Sequence, residues 1–142
     1  MCRLVINERG GRTPRFEVSD LETRRSGPSY TVDTAQELRN EGHAEVHWLI
    51  GADMLLLLPH WHRPLDLLRD VHFVVMARPG WTIDWMALPP EYRHLKERVV
   101  AAPVIDISST EIRRRVRQNL PIDDLVPASV ARYIAEHHLY RG

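Results

Sequence analysis

Hydroxyl and basic side chains are concentrated in the stretch Ile107 to Arg113, which reads Ile-Ser-Ser-Thr-Glu-Ile-Arg. Ser108 is a favoured helix N-cap residue, and Glu111 three positions later completes the capping-box pattern. The first N–H groups of such a helix, together with the positive end of its dipole, attract phosphate. Further donors follow on Ser109, Thr110 and Arg113. The stretch predicts an anion site, but capping boxes are common, and the pattern alone favours a purely structural role.

A second candidate is Gly51-Ala52-Asp53, which follows an apolar run. The glycine lets a ligand approach the backbone, and the carboxylate could accept hydrogen bonds from ribose hydroxyls. The same aspartate could equally serve the dipole at the start of a helix. Tyr30 and Thr31 also lie where a loop becomes a helix, where Thr31 could simply be a cap.

Two histidines flank a tryptophan in His60-Trp61-His62. No Cys, His or carboxylate cluster at ligand spacing accompanies them, so the sequence favours stacking or packing of Trp61 over metal binding. The arginine run at residues 113–117 indicates a solvated helix face, because successive residues point in different directions. No Ser-His-Asp set, paired catalytic carboxylates or GxxxxGK[ST] loop is evident.

Composition is that of a soluble globular protein, with 44% hydrophobic and 27% charged residues in 142. The 19 basic and 19 acidic residues balance, which argues against nucleic-acid binding. The longest apolar run ends at Pro59, too early for a membrane span. The single Cys2 favours a reducing compartment, and we expect a cytoplasmic protein. The residues 1–6 resemble the last turns of a helix.

Apolar runs alternate with helical patterns along the chain. Strands are predicted over residues 15–19, 45–50, 71–77 and 99–105, the second buried on both faces. Helices are predicted from Ser29 or Thr31 to residue 40 with Gly42 after it, after Gly51, and over residues 64–69, 90–98, 109–118 and 127–137, with residues 81–88 as a loop. This order predicts one α/β domain over residues 1–142, with a mostly parallel sheet, helices on both faces and a helical segment at 120–142. Ligands of such sheets bind beyond the carboxyl ends of the strands, where the candidate residues lie.

Seven motifs occur in an order that resembles bacterial nicotinate-nucleotide adenylyltransferase, from about Leu4 to Arg141. They are Val-Ser-Asp-Leu-Glu at 18–22, Gly-Pro-Ser-Tyr-Thr-Val-Asp-Thr at 27–34, Ile-Gly-Ala-Asp at 50–53, Trp-His-Arg at 61–63, Ala-Arg-Pro-Gly at 77–80, Ile-Ser-Ser-Thr-Glu-Ile-Arg at 107–113 and His-His-Leu-Tyr-Arg at 137–141. The resemblance implies a Rossmann-like nucleotidyltransferase fold.

The resemblance also implies site residues. ATP would be bound by Ile107 near the adenine, by the phosphate-binding Ser108, Ser109, Thr110 and Arg113, and by Gly51 and Asp53, with Ser109 and Arg113 in the catalytic role. Trp61 would stack on the nicotinate ring. The nicotinate carboxylate would meet backbone N–H groups at Thr31 and His62, with Tyr30 and Arg78 close by. His62 stands where many relatives carry an aromatic residue, which is harmless if only its backbone is used.

The reaction implied is adenylyl transfer from ATP to nicotinate mononucleotide, giving the deamidated dinucleotide precursor of NAD (deamido-NAD) and pyrophosphate. The mononucleotide phosphate would attack the α-phosphorus in line, and Mg²⁺ entering with ATP would neutralise charge. Catalysis would be positioning and electrostatic stabilisation, which agrees with a sequence that offers phosphate donors but no nucleophile.

One family motif is missing, since His-x-Gly-His occurs nowhere in the 142 residues. The residues 1–6 match the interior of a later helix of the family, as in a fragment, a start at an internal Met, or part of a larger protein. The absent portion includes a central strand, whose loss would expose sheet edges. We therefore expect little or no adenylyl transfer by this polypeptide alone.

Two other interpretations remain open. Phosphopantetheine adenylyltransferase shares the Ser-Ser-Thr motif, but we expect it to lack the Ser-Tyr-Thr and Trp-His elements. A non-catalytic nucleotide-binding fragment is the alternative from another class. The preference for the acid or the amide mononucleotide and the formation of a homo-oligomer are not fixed by the sequence.

Overall fold

The computed structural model describes residues 1–8, 16–78, 80 and 82–141, with only the backbone of Asn7. The chain forms two compact units, one of Met1–Ser19 with Ile105–Gly142 and the other of Asp20–Val104. We call them the terminal unit and the sheet unit. The single nucleotidyltransferase domain over residues 1–142, with its helical segment at 120–142, stays a prediction.

The sheet unit is built on three parallel strands. They are β1 (His47–Gly51), β2 (His72–Ala77) and β3 (Val99–Ala101), in the order β1-β2-β3. His47 pairs with His72 at the start of the ladder, and Val75 pairs with Val99 where the third strand joins. The predicted parallel α/β class is thus confirmed.

Three α-helices accompany the sheet: α2 (Thr31–Asn40), α3 (Ala52–Leu55) and α4 (Pro64–Asp70). A 3₁₀ helix at Pro90–Arg98 occupies the range predicted as helical, and shorter 3₁₀ turns lie at Glu22–Arg24 and Leu58–His60. The predicted end of α2 is confirmed by Gly42, whose φ of +98° suits glycine. The predicted cap is wrong, because the N-cap residue is Tyr30, which makes no side-chain cap bond.

The core of this unit covers one face of the sheet. Ile50, Phe73 and Val75 alternate with outward residues and are at most 5% exposed. They pack with Val32 and Ala35 of α2 and with Leu55, Leu58 and Leu67. On the opposite face Leu49 is 57% exposed, and Met76 and Val100 are also exposed. The prediction that the first buried strand is covered on both faces is therefore wrong.

Two other strand predictions differ from the structure. Residues 16–19 have no regular secondary structure, and Arg15 lies outside the described residues. Phe16 is exposed, so the apolar face that the alternating pattern predicts is not buried against the core. The strand predicted over 99–105 ends at Ala101, which pairs with Ala77, the last residue of β2.

The terminal unit contains α1 (Cys2–Glu8), α5 (Ser109–Arg117) and α6 (Ala128–Glu136). Val116, Ile122, Val130 and Ile134 form its core. The Ser129 hydroxyl donates to the Glu8 carboxylate and so joins α6 to α1. These helices confirm the predictions for residues 1–6, 109–118 and 127–137. None of the described helices is long and apolar enough to cross a lipid bilayer.

At the start of α5, one of the two hydrogen bonds of the predicted capping box forms. The Glu111 N–H donates to the Ser108 hydroxyl at 3.1 Å. The Glu111 carboxylate does not return to the cap but accepts from Arg114 at 2.6 and 2.8 Å and from Arg115 at 3.0 Å. Hydrogen bonds, first from Arg114 and then from Arg115, lower the pKa of Glu111 from 4.5 to about 2.

We predict that Leu55→Ala lowers the free energy of unfolding of the sheet unit by about 2–5 kcal/mol, because it empties a fully buried site. Leu57→Ala is the matched control, since Leu57 is 52% exposed, and should change it by less than about 0.5 kcal/mol. All four tryptophans lie in the sheet unit, so their fluorescence during urea titration reports it selectively. Equal effects of the two substitutions would contradict this core.

We also predict a pH dependence for α5. A carboxylate whose pKa is lowered by folding stabilises the helix fully above pH 4.5 and loses that effect as the pH falls towards about 2. Helicity followed by circular dichroism should therefore fall over this range more steeply in the unmodified chain than in Glu111→Gln. Glu136→Gln is the control, because Glu136 forms no ion pair within the described residues. Identical profiles for Glu111→Gln and the unmodified chain would show that the pairing does not stabilise α5.

Candidate functional site

A cavity of about 300 Å³ in the sheet unit lies where α2 begins and the Leu58–His60 turn ends. Its lining consists of two tripeptide segments, Ser29-Tyr30-Thr31 and His60-Trp61-His62. Four of the five residues predicted to bind the nicotinate nucleotide are therefore brought together, namely Tyr30, Thr31, Trp61 and His62. The fifth, Arg78, is exposed after β2 and is not part of this lining.

The first segment is held by the start of α2. The Tyr30 carbonyl accepts from the N–H groups of Asp33 and Thr34 at 3.1 and 3.2 Å. The Tyr30 ring stacks on the His62 ring with 4.0 Å between centroids and 23° between planes. This stack joins the two segments directly.

The second segment is held by its own turn. The N–H of Trp61 donates to the carbonyl of Leu58, which is fully buried. Two residues after Trp61, Arg63 has a left-handed backbone with φ of 50°. Its side chain donates to the Asp66 carboxylate at 2.8 Å. That hydrogen bond is the main reason that the pKa of Asp66 is lowered. The turn thus presents His60 to His62 towards α2 before α4 begins.

Two backbone N–H groups of this pocket are unpaired. Neither Thr31 nor His62 has an acceptor for its N–H among the described residues. Trp61 is half-buried and packs against the core, while the lining contains no Asp or Glu. The pocket therefore combines an aromatic surface with free donors and no carboxylate to repel an anion.

The predicted nucleotide residues do not line this pocket: Gly51 is the last residue of β1, and Asp53 follows it in α3. A β-carbon on Gly51 would collide with the Asp53 carboxylate, so a larger residue here would displace the Asp53 side chain. Asp53 is exposed in the first turn of α3. Its carboxylate is accessible, as ribose binding would require.

The predicted phosphate-binding residues lie in the terminal unit. Ile107, Ser109 and Thr110 are exposed. The N–H groups of Ser109 and Thr110 have no acceptor among the described residues. The Ser108 hydroxyl accepts from the Glu111 N–H instead. Arg113 donates a long hydrogen bond of 3.5 Å to the Thr110 hydroxyl and forms no ion pair with a described residue. Glu111 is neutralised by Arg114 and Arg115, so the unpaired charge of this turn is positive.

Sequence reasoning missed three features of the pocket. Ser29 and His60 line it, although only their neighbours were predicted to do so. The polar contacts of Arg25 and Thr34 behind the pocket carry no local sequence signal, because they join residues 9 positions apart. The spacing of the Ser-Tyr-Thr motif alone could have suggested Ser29.

A larger cavity of about 500 Å³ lies in the terminal unit and is lined by residues from Val116 to Ile122 and by α6. None of the predicted site residues contributes to it. Among the described residues, no group of three or more His, Cys, Asp or Glu side chains is placed to hold a metal ion.

Comparisons with known proteins identify the family of this chain. The cytidylyltransferase-like family model matches residues 6–115. A protein of Herpetosiphon aurantiacus named probable nicotinate-nucleotide adenylyltransferase is 43% identical over 99% of this chain and 70% of its own length. A protein of Bacillus pumilus with the same name is 45% identical over 91% of this chain and 65% of its own length. The chain thus spans about two thirds of these relatives.

A solved structure supports the same fold. Plasmodium falciparum nicotinic acid mononucleotide adenylyltransferase, complexed with APC, matches 81% of this chain and 60% of that chain with a TM-score of 0.58. At 19% identity this likeness concerns the fold alone. The sequence matches are stronger, since 43–45% identity extends over 91–99% of the chain. The chain therefore belongs to the nicotinate-nucleotide adenylyltransferase family of cytidylyltransferase-like proteins.

Proposed function

We propose that this chain takes part in adenylyl transfer from ATP to nicotinate mononucleotide, giving deamido-NAD and pyrophosphate in NAD biosynthesis. The observation that carries the proposal is the pocket of Ser29-Tyr30-Thr31 and His60-Trp61-His62. Its residues are those that the family resemblance assigns to the nicotinate nucleotide. The names of the relatives support the same substrate.

The pocket suits a nicotinate group for two reasons. The half-buried Trp61 offers a ring face on which a pyridine ring can stack. The free N–H groups of Thr31 and His62 can donate to the ring carboxylate, and no acidic lining residue opposes it. The proposal therefore favours the acid mononucleotide over the amide, whose NH₂ group cannot accept hydrogen bonds.

The start of α5 suits the phosphates of ATP. The first turn offers unpaired N–H groups and two hydroxyls as hydrogen-bond donors. Arg113 adds a positive charge that forms no ion pair with a described residue. We assign the phosphate contacts to Ser108, Ser109, Thr110 and Arg113, with Ile107 near the adenine. Gly51 and Asp53 are proposed to contact the nucleotide, with the accessible Asp53 carboxylate accepting from ribose hydroxyls.

The reaction needs no protein nucleophile. A phosphate oxygen of the mononucleotide attacks the α-phosphorus of ATP in line, the bond from that phosphorus to the bridging oxygen breaks, and pyrophosphate leaves. Arg113 and the N–H groups of α5 stabilise the charge on the phosphoryl oxygens, and positioning supplies the rest. Mg²⁺, entering with ATP, would neutralise phosphate charge.

Binding is the proper readout for this polypeptide. The sequence contains no His-x-Gly-His, and we expect the 142 residues alone to turn over slowly or not at all. The cytoplasm is proposed as its location, in accord with its single cysteine.

We predict that Trp61→Ala weakens nicotinate mononucleotide binding by about tenfold, because stacking on an aromatic ring contributes about 1–3 kcal/mol per base. His62→Phe should change the affinity by less than about twofold, since it keeps the backbone N–H and an aromatic ring to stack on Tyr30. Isothermal titration calorimetry with each variant and the unmodified chain measures both. Unchanged affinity in Trp61→Ala would remove Trp61 from the site.

We predict that Arg113→Ala weakens ATP binding by about tenfold or more, because a charge-assisted hydrogen bond contributes about 1.5–3 kcal/mol. Arg117→Ala, one turn further along α5, is the matched control and should leave the affinity within about twofold. Titration with Mg²⁺-ATP at constant ionic strength separates the local contact from general charge. Equal losses in the two variants would indicate only nonspecific attraction.

A further inference from the structure

We propose that Arg25, Thr34 and Glu22 are positioning residues for the nicotinate pocket, although none of them lines it. The proposal rests on the proposed function, since it explains how one wall of that pocket is held. It starts from Thr34, which is 7% exposed and is the one buried polar side chain in the described residues. A buried hydroxyl must be paired in both of its roles, or its burial is costly.

Thr34 is paired in both roles. Its hydroxyl donates to the Glu22 carboxylate at 2.7 Å and accepts from the Arg25 guanidinium at 2.7 Å. The same guanidinium donates to Glu37 of α2 at 2.6 Å. The Arg25 side chain is 20% exposed, and so this pairing is better shielded from water than the ion pairs at the surface.

These bonds define a closed loop. The segment from Glu22 to Tyr30 begins beside α2 and ends at the N-terminus of that helix. The Ser29 hydroxyl donates to the Glu22 carbonyl at 3.0 Å and so joins the two ends of the segment. Gly27, with φ of +98°, allows the turn between them. Thr34 lies one turn into α2, whose Val32 and Ala35 are fully buried. The start of the loop is thus bonded to a helix fixed in the core, and its end is the pocket wall.

The N-cap residue of α2, Tyr30, makes no side-chain cap bond. The Thr34 hydroxyl also lies 3.4 Å from the Tyr30 carbonyl, which is a weaker second acceptor. The ring of Tyr30 must nevertheless be placed to stack on His62 at 4.0 Å. We infer that the Glu22–Thr34–Arg25 bonds set the path of residues 22–30 and thereby the position of Tyr30 and of the Thr31 N–H.

Two pairs of substitutions test this proposal. Thr34→Val removes the hydroxyl at nearly constant shape, and Thr34→Ser restores it. Arg25→Ala removes the guanidinium, and Arg24→Ala is its neighbour control, because Arg24 pairs only with Asp20 in an exposed contact with 70% and 50% exposed side chains. Arg25 lies in a loop, so its variant serves if Thr34→Val fails to fold.

The first readout needs no ligand. Stacking on Tyr30 should move the His62 ring protons upfield in nuclear magnetic resonance spectra of the free chain. Thr34→Val and Arg25→Ala should move them back towards the unstacked value, while Thr34→Ser and Arg24→Ala should retain the shift. An unchanged His62 shift in both Thr34→Val and Arg25→Ala would overturn the proposal, even if those variants unfold more easily.

The second readout is affinity. A loop that holds the binding arrangement only part of the time raises the apparent Kd by the inverse of that fraction. We expect a rise of about tenfold for nicotinate mononucleotide in Thr34→Val and Arg25→Ala. The Kd for ATP should stay within twofold, and Thr34→Ser should recover the mononucleotide affinity. Equal weakening for both ligands would indicate general destabilisation and overturn the proposal. If the unmodified chain binds no mononucleotide while the His62 shift responds as expected, the proposed function fails and the positioning role stands.

Discussion

The sheet unit depends on the burial of one face of its parallel sheet. Ile50 of β1 and Phe73 and Val75 of β2 cannot be exposed without losing the core that also holds α2 and the 3₁₀ turn at Leu58. Because side chains alternate along a strand, this burial fixes the register and the points where strands end. The residues after each strand and the start of α2 are fixed in turn, and these are the places where the candidate chemistry lies.

This constraint explains how the pocket can be built from irregular segments. Tyr30 and Thr31 precede a helix whose first turn is buried at Val32, and His60 to His62 follow the fully buried Leu58. Both segments lie partly exposed at the surface but within a few residues of a core anchor. A short chain length between anchor and donor limits the freedom of the donor, which is what binding by backbone N–H groups requires. The start of α5 follows the same logic in the terminal unit, where Ile112 and Val116 pack into the core beyond the free N–H groups.

Sequence patterns predicted those helices in which apolar residues recur at helical spacing and a glycine or proline marks an end. Helix α2, with Gly42 behind it, and α4, with Pro64 at its start, were predicted almost to the residue. Alternation alone misled at residues 16–19, because a strand also needs a partner that no local pattern contains. An apolar run likewise could not tell how many faces of β1 are covered, and Leu49 is exposed. The motif order predicted the pocket residues, whereas the contacts of Thr34 with Arg25 and Glu22 depend on the three-dimensional path of the loop.

The central claim is that two separate parts of this chain bind two different substrates, the pocket of the sheet unit a nicotinate nucleotide and the start of α5 the phosphates of ATP. Backbone amide signals in ¹H–¹⁵N nuclear magnetic resonance spectra, recorded with each ligand added alone, test it most directly. The account predicts saturable shifts at Tyr30, Thr31, Trp61 and His62 with nicotinate mononucleotide, and at Ser108 to Arg113 with Mg²⁺-ATP. Shifts confined to the cavity around Val116 to Ile122, or no saturable shifts with either ligand, would contradict it.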